Sequence, residues 1–382
     1  MKHLNFLDGL RAISIFMVMG FHSMGPISGA IGNGWLGVDV FFVISGFLIT
    51  SLLLREKAQS GTVNLRNFYV RRFLRLMPAY WAFLIVALLV NPHHRANMVP
   101  AFITSACYMS DYDLAFNWGN ILGSGIETTW SLSVEEKFYL LWPAIVLFLG
   151  SRSGMAAVTA ILACEIFKGW LCYTHAPCLR LMAAFDTHVD EIMFGCLAAQ
   201  LMSTAKVRAL LRTGRGGNAC AFALAAVMVW ICYASPHPKY LTDPAQMTVF
   251  FSVVMPVFSA AAALLIMLCA ANEKLWLARV LSIRPLVWMG VLSYSLYLWH
   301  PLVMSNISWW AHSHTRNPVK NELITFAGCL AVAALSYYLI EKPFLKLKKR
   351  FEFRSATDDT EYGAGRPSKE AKLSAPVPTA CV

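Results

Sequence analysis

Residues 7–23 read LDGLRAISIFMVMGFHS, an apolar run interrupted by Asp8, Arg11 and His22. A hydrocarbon core about 30 Å thick takes roughly 20 such residues as helix. Ionisable groups inside a span are costly and turn toward a protein interior or a wet cavity. Arg11 and His22 are eleven residues apart. At about 100° and 1.5 Å per residue they share one helix face, roughly 16 Å apart along the axis. That spacing suits a long ligand threaded along the helix, with its charged end at Arg11 and its reactive end at His22. Asp8, three residues before Arg11, can pair with it. The blander alternative is a snorkelling Arg11 and an interfacial, hydrogen-bonded His22. No small-residue cleavage site follows the run, so it is expected to be a retained first helix and not a signal peptide.

Working outward, the same apolar signal recurs. Segments near 6–25, 34–54, 77–91, 129–150, 155–172, 187–203, 218–235, 247–271, 286–305 and 322–340 are long enough, or nearly so, to span. The stretch 98–110 is apolar but short, and is expected to be re-entrant or interfacial. With the N-terminus in the cytoplasm and ten crossings, 25 of the 32 Lys and Arg fall inside, as the positive-inside rule requires. The expected fold is therefore all-α: a polytopic transmembrane helix bundle of about ten spans with both termini cytoplasmic. Only 14% of residues are charged against 57% hydrophobic, where soluble domains carry about 25% charged residues.

The net charge of +11 follows from this loop bias, so no nucleic-acid partner is implied; membrane lipids are. Residues 1–345 are expected to form one membrane domain. From Lys346 to 382 the chain becomes basic and then rich in Ser, Thr, Gly and Pro, a composition expected to stay disordered in the cytoplasm with its basic start on anionic headgroups. The ten cysteines contain no C-x-x-C pair, so a zinc or redox motif has no support. Cys172 and Cys178 share an expected exterior loop and either pair or remain free.

Other ionisable residues within or beside spans narrow the chemistry. Asp39 opens GVDVFFVISGFLIT and either orients a histidine or is a carboxylate in water. In the expected loop RNFYVRRFLRLMPAYW, Arg71, Arg72 and Arg75 can converge if helical, and guanidinium forks suit phosphate; cytoplasmic basic charge is the plainer explanation. In TTWSLSVEEKFYLLWP, Glu135 shares a helix face with Tyr139 and points about 100° away from Glu136, so at most one of the two carboxylates should face a given cavity. A base or hydroxyl acceptor competes there with an ion pair to Lys137. Asp186, His188, Asp190 and Glu191 cluster in FDTHVDEIMFG; a helix N-terminus accounts for the carboxylates without a metal, and none is expected. His300, in LSYSLYLWHP, has no explanation in the aromatic girdle that accounts for its Tyr and Trp neighbours.

In order along the chain, LDGLRA with Arg11 and His22, GVDVFFVISGFLIT, RRFLRLMP, WSLSVEEKFYLLWP, LSYSLYLWHP and IEKPF resemble the acyltransferase-3 family of bacterial membrane acyltransferases. The resemblance implies transfer of an acyl group, usually acetyl, from cytoplasmic acyl-CoA to a glycan hydroxyl at the outer side of the bacterial cytoplasmic membrane. The acceptor is a cell-surface, exported or lipid-linked glycan, with a polysaccharide synthesis or export complex as the implied partner. It makes His22 the catalytic candidate, with Arg11 and Glu135 in support, and Arg71, Arg72 and Arg75 the donor-binding set; Asp39 joins the catalytic candidates on the residue reading above. Acyl-CoA is then a donor substrate, not a resident cofactor. His188 departs from the pattern, since many members place arginine there. Members fused to an exterior esterase-like domain are not expected as close analogues. A transporter or flippase of a lipid-linked sugar or small anion is the rival, and a structural partner of an export complex a distant third.

Overall fold

The computed structural model describes residues 4–23, 32–90, 95–119, 121, 124–212, 216–237 and 241–351. Among them every regular element is helical. Ten helices carry the architecture: α1 Asn5–His22, α2 Gly37–Ser60, α3 Leu65–Val90, α4 Thr129–Leu149, α5 Ser153–Tyr173, α6 Val189–Ser203, α7 Gly217–Ala234, α8 Pro244–Ala271, α9 Ser293–His314 and α10 Pro318–Ser336. Each corresponds to one expected apolar segment. Large apolar side chains such as Leu89, Phe148, Ile166, Phe222, Trp230 and Leu339 point outward. Patches of that kind are rare on soluble monomers, and a bilayer is the solvent they fit.

By length and apolarity alone, six helices qualify as spans, or seven if the bent pair Arg284–Val291 and Ser293–Ile307 counts as one. The ten crossings suggested by loop charge are not established on that criterion, and the reasons are local. Asp8, Arg11 and His22 dilute α1, and α6 has only 15 residues. Helices α4 and α5 lie in one 45-residue stretch, but Gly150 at φ +56° breaks it between them. The ammonium of Lys57 caps that break, donating to the carbonyls of Val146 (3.2 Å) and Leu147 (2.6 Å), where the helix dipole favours a cation. The segment near 98–110 forms a helix of 12 residues, Arg95–Ala106, too short to cross. Of the tail expected from Lys346, the basic start up to Phe351 is helical and continues from Lys342–Lys348, and the rest lies outside the described residues.

Small residues bring the helices together. A Cβ on Gly46 of α2 would lie 2.0 Å from the Ile192 carbonyl oxygen of α6, and one on Gly195 of α6 would lie 2.0 Å from the Val43 carbonyl oxygen of α2. The two backbones therefore cross in mutual contact. Gly290 meets the Asp8 carbonyl oxygen of α1 in the same way, at 1.8 Å, which docks Arg284–Val291 on α1. The chain then turns by 67° into α9, and this break carries Ser293 and Tyr294 toward the interior.

Helix α3 begins at Leu65, well before the start near residue 77 that apolarity suggests. Pro78 does not stop it. Intramembrane helices tolerate proline where neighbours satisfy the backbone, and Tyr294 donates its hydroxyl to the Leu76 carbonyl in the adjoining turn (2.9 Å). Arg71, Arg72 and Arg75 thus belong to α3 and not to a loop. Beyond α10 a π-helical turn, Tyr337–Glu341, leads into the short helix Lys342–Lys348. Its buried Glu341 accepts a hydrogen bond from Ser295 of α9.

Candidate active site

A cavity lies among α1, α2, α3, α4 and the start of α9. Its polar lining comprises Arg11, Ser45, Arg72, Arg75, Ser131, Glu135, Tyr139, Ser293, Tyr294 and Tyr297, and Phe41, Phe42 and Leu48 supply apolar wall. It holds about 710 Å³ of space, part of it continuous with the exterior. Three guanidinium groups from two helices therefore face one volume. Arg11 is 3.4 Å from Asp8. Among the described residues, neither Arg72 nor Arg75 has a carboxylate within ion-pair distance. Arg72 instead lies over the rings of Phe68 (5.6 Å) and Tyr139 (5.3 Å), which hold the guanidinium plane without neutralising it. Three guanidinium groups against the single lining carboxylate of Glu135 leave the cavity net cationic, an environment that suits an anion.

Arg71 does not join this set. It pairs with Glu56 at 3.2 Å and donates to the Phe351 carbonyl at 2.8 Å. The expected convergence of three α3 arginines is thus corrected to two, with Arg11 completing the trio. Position 71 is claimed by a carboxylate at the end of α2, which turns its side chain away from the cavity.

Glu135 faces the cavity, accepting hydrogen bonds from Ser45 (2.8 Å) and Tyr139 (3.0 Å). Glu136 points into the neighbouring groove with Phe73, Met77 and Leu140, as the 100° offset anticipates. Lys137 pairs with Asp111 at 2.6 Å and leaves both glutamates to their cavities.

His22 ends α1. Its Nδ1 is 2.9 Å from the Val18 carbonyl oxygen and 3.4 Å from Nε2 of His300. His300 is fully buried, with its own Nδ1 against the carbonyls of Leu296 (3.1 Å) and Tyr297 (2.9 Å). Carbonyls only accept, so the proton of His300 is assigned to Nδ1 and its Nε2 presents a lone pair. The same reasoning assigns the proton of His22 to Nδ1, shared between Val18 and His300. Nε2 of His22 is left basic and the side chain is exposed. A histidine held in one tautomer with its other nitrogen accessible has the form of a base or nucleophile.

The pair connects to the arginine cavity through one residue. The Tyr297 ring lies 5.8 Å from that of His300, and its hydroxyl meets Ser131 Oγ at 2.5 Å in the cavity wall. Sequence spacing thus singled out Arg11, Arg72, Arg75 and Glu135, which the fold brings to one cavity, and His22, which stands outside that lining. It singled out His300 without a role, because contact between residues 22 and 300 depends on how α1 and α9 pack. Tyr139 was legible only through its shared face with Glu135, and Ser45, Ser131 and Tyr297 carried no individual signal.

Asp39 is not beside His22. It is fully buried next to His188 and Glu191 of the α6 N-terminus. Lys168 of α5, overlooked in the sequence although it stands mid-span, lies 2.7 Å from Asp190. Cys172 and Cys178 are both free thiols.

A family model described as an acyltransferase domain matches residues 4–341. YrhL of Bacillus subtilis, named for peptidoglycan O-acetylation, is 29% identical over 361 residues, covering 88% of this chain and 54% of its own length. The peptidoglycan O-acetyltransferase OatA of Listeria monocytogenes is 26% identical, covering 90% and 56%. The O-acetyltransferase OatA of Staphylococcus aureus is 28% identical, covering 90% and 58%. The chain spans about half the length of these relatives, so proteins with a further region are among its relatives, contrary to expectation. No solved structure matches it. With the family motifs running from α1 to the π turn after α10, and the family model covering nearly the whole chain, the protein belongs to the acyltransferase-3 family of membrane acyltransferases.

Proposed function

We propose that the chain transfers an acyl group, acetyl in the first instance, from cytoplasmic acyl-CoA to a hydroxyl of a cell-surface glycan, working as a multi-pass protein of the bacterial cytoplasmic membrane. The observation that carries this is the cavity in which Arg11, on the helix that ends in His22, faces the same space as Arg72 and Arg75 of α3, the latter two without a carboxylate partner among the described residues. Guanidinium forks suit the phosphates of a nucleotide donor, and the acyl arm then extends along α1. The names of the relatives bring peptidoglycan forward as acceptor, which the sequence motifs alone did not suggest; O-antigen and exopolysaccharide are chemically equivalent choices. A lipid-linked glycan reaching the site from the bilayer, within a polysaccharide synthesis complex, fits the same arrangement.

In this mechanism Nε2 of His22 takes the proton of the acceptor hydroxyl. The oxygen attacks the thioester carbonyl, the C–O bond forms, the C–S bond breaks, and the departing thiolate recovers the proton from His22. The lone pair of His300 steadies the Nδ1–H of His22 while the imidazole is charged. Alternatively Nε2 accepts the acyl group and then passes it to the hydroxyl; both routes use the same nitrogen. Glu135, held by Ser45 and Tyr139, balances the arginine charge at the cavity, and Asp39 supports α2 from a distance.

The test uses purified protein in lipid nanodiscs with labelled acetyl-CoA and a glycan oligosaccharide. Donor-dependent ester formation, lost in an Arg72→Ala/Arg75→Ala double variant, is expected. Movement of intact glycan across the bilayer with no ester formed would replace this function by that of a flippase.

A further inference from the structure

Beneath the Phe42 wall of the cavity lies a second polar cluster, which acyl transfer does not use. Asp39 at the start of α2 and His188 and Glu191 at the start of α6 are all fully buried. Among the described residues, both oxygens of Asp39, both nitrogens of His188 and both oxygens of Glu191 lack any hydrogen-bond partner. Burying even one such group without a hydrogen bond is expensive, and six on three adjoining side chains, with only Glu191 within ion-pair distance of a cation, is not a helix N-terminus effect, which acts through backbone N–H bonds. One candidate ligand atom from each residue falls within 4.8 Å of the other two, and His188 Nδ1 is 3.4 Å from Glu191 Oε1.

The surrounding charge sharpens the case. Lys168, the buried cation of this region, is 2.7 Å from Asp190, 3.4 Å from Glu165 and 3.7 Å from Glu191. Asp190 also accepts from Cys164 Sγ at 3.1 Å. Three carboxylates thus share one ammonium group, whose nearest partner is Asp190, and Asp39 has no ion pair to it among the described residues. His188 is flanked by the rings of Trp130 (5.2 Å) and Phe42 (5.9 Å), which offer it no hydrogen bond.

We infer that Asp39, His188 and Glu191 bind one divalent transition-metal ion, of the zinc or manganese type. One imidazole and two carboxylates suit borderline ions of that class. Tetrahedral bonds of about 2.1 Å place ligand atoms about 3.4 Å apart, the separation already present between His188 and Glu191. Asp39 closes the set with a small rotamer shift. The ion neutralises the carboxylates that Lys168 cannot and ties the N-terminus of α2 to that of α6. The site is structural: it positions the Phe42 side of the cavity wall and takes no part in the transfer chemistry.

The experiment uses full-length protein purified without a histidine tag, loaded separately with Zn²⁺ and Mn²⁺, gel-filtered and assayed by plasma mass spectrometry. Wild type should retain about one equivalent of one of these ions, with X-ray absorption showing an N/O-only shell. Its melting temperature should fall on chelation. Asp39→Asn, His188→Gln and Glu191→Gln should each weaken retention at least ~10-fold. To separate metal loss from misfolding, His188→Arg is made as well. A guanidinium supplies the missing charge covalently, so this variant should fold, hold no ion and melt at a temperature indifferent to chelator. Wild type retaining neither ion, with no change in melting on loading, overturns the inference. So does metal retention unchanged in the four variants.

Discussion

The proton on Nδ1 of His22 is held by the Val18 carbonyl and the Nε2 lone pair of His300, so the two histidines should act as a unit. Replacing His22 with Ala should abolish transfer, since a positioned base contributes about 10²–10⁴-fold and acyl capture is lost as well. His300→Ala should lower kcat by about 10–100-fold with little effect on the donor KM. Its pH–rate profile should shift, which a merely structural role would not produce, and His300→Gln, retaining an acceptor, should recover part of the loss. Arg72→Ala and Arg75→Ala should act on donor KM instead, each raising it about 10-fold, as expected for a lost charged hydrogen bond. Arg72→Lys should rescue only partly, because an ammonium lacks the planar fork and the ring stacking. Steady-state kinetics with acetyl-CoA as the varied substrate separates these effects. Much of this set was legible before the fold was known, because Arg11, His22 and Glu135 are residues a bilayer excludes without a reason. Arg71 was not distinguishable from Arg72, since only tertiary structure brings Glu56 to it.

At the level of elements, the crossing of α2 and α6 rests on two glycines in backbone contact. Gly46→Ala or Gly195→Ala forces the helices apart and should cost about 1–3 kcal/mol of stability. Thermal melting in detergent measures this, with reduced activity following from displacement of Ser45 and Phe42. Arg71→Ala should lower the melting temperature by freeing the end of α3 from Glu56 and Phe351, and should raise donor KM less than Arg72→Ala does. The α2 and α6 segments were visible as apolar runs, but their crossing was not: Gly46 and Gly195 are small residues whose partner helix no local pattern names. The start of α3 was misjudged for a related reason. Apolarity marks where lipid begins, not where hydrogen bonding begins, and the basic first turns of α3 precede its apolar part.

For the whole molecule, ten helices in apolar segments and a strong bias of loop charge favour a two-sided arrangement, although by length and apolarity alone six or seven helices qualify as spans. In a background lacking the exposed Cys107 and Cys220, Thr174→Cys and Lys320→Cys should react with an impermeant maleimide on intact cells. Ser60→Cys and Ser203→Cys should react only after lysis. The opposite pattern at either pair would remove a crossing and place the arginine cavity and His22 on unintended sides. All-helical class and membrane character followed directly from composition, because they need no knowledge of which helices touch. The central claim, that this arrangement esterifies a glycan through His22, is tested most directly on the glycan itself. Cell-surface glycan from a deletion strain carrying wild type or His22→Ala should be compared by NMR and mass spectrometry. The expected result is one ester, on one sugar, present with wild type and absent with the variant. Equal ester content in the two strains would contradict the account.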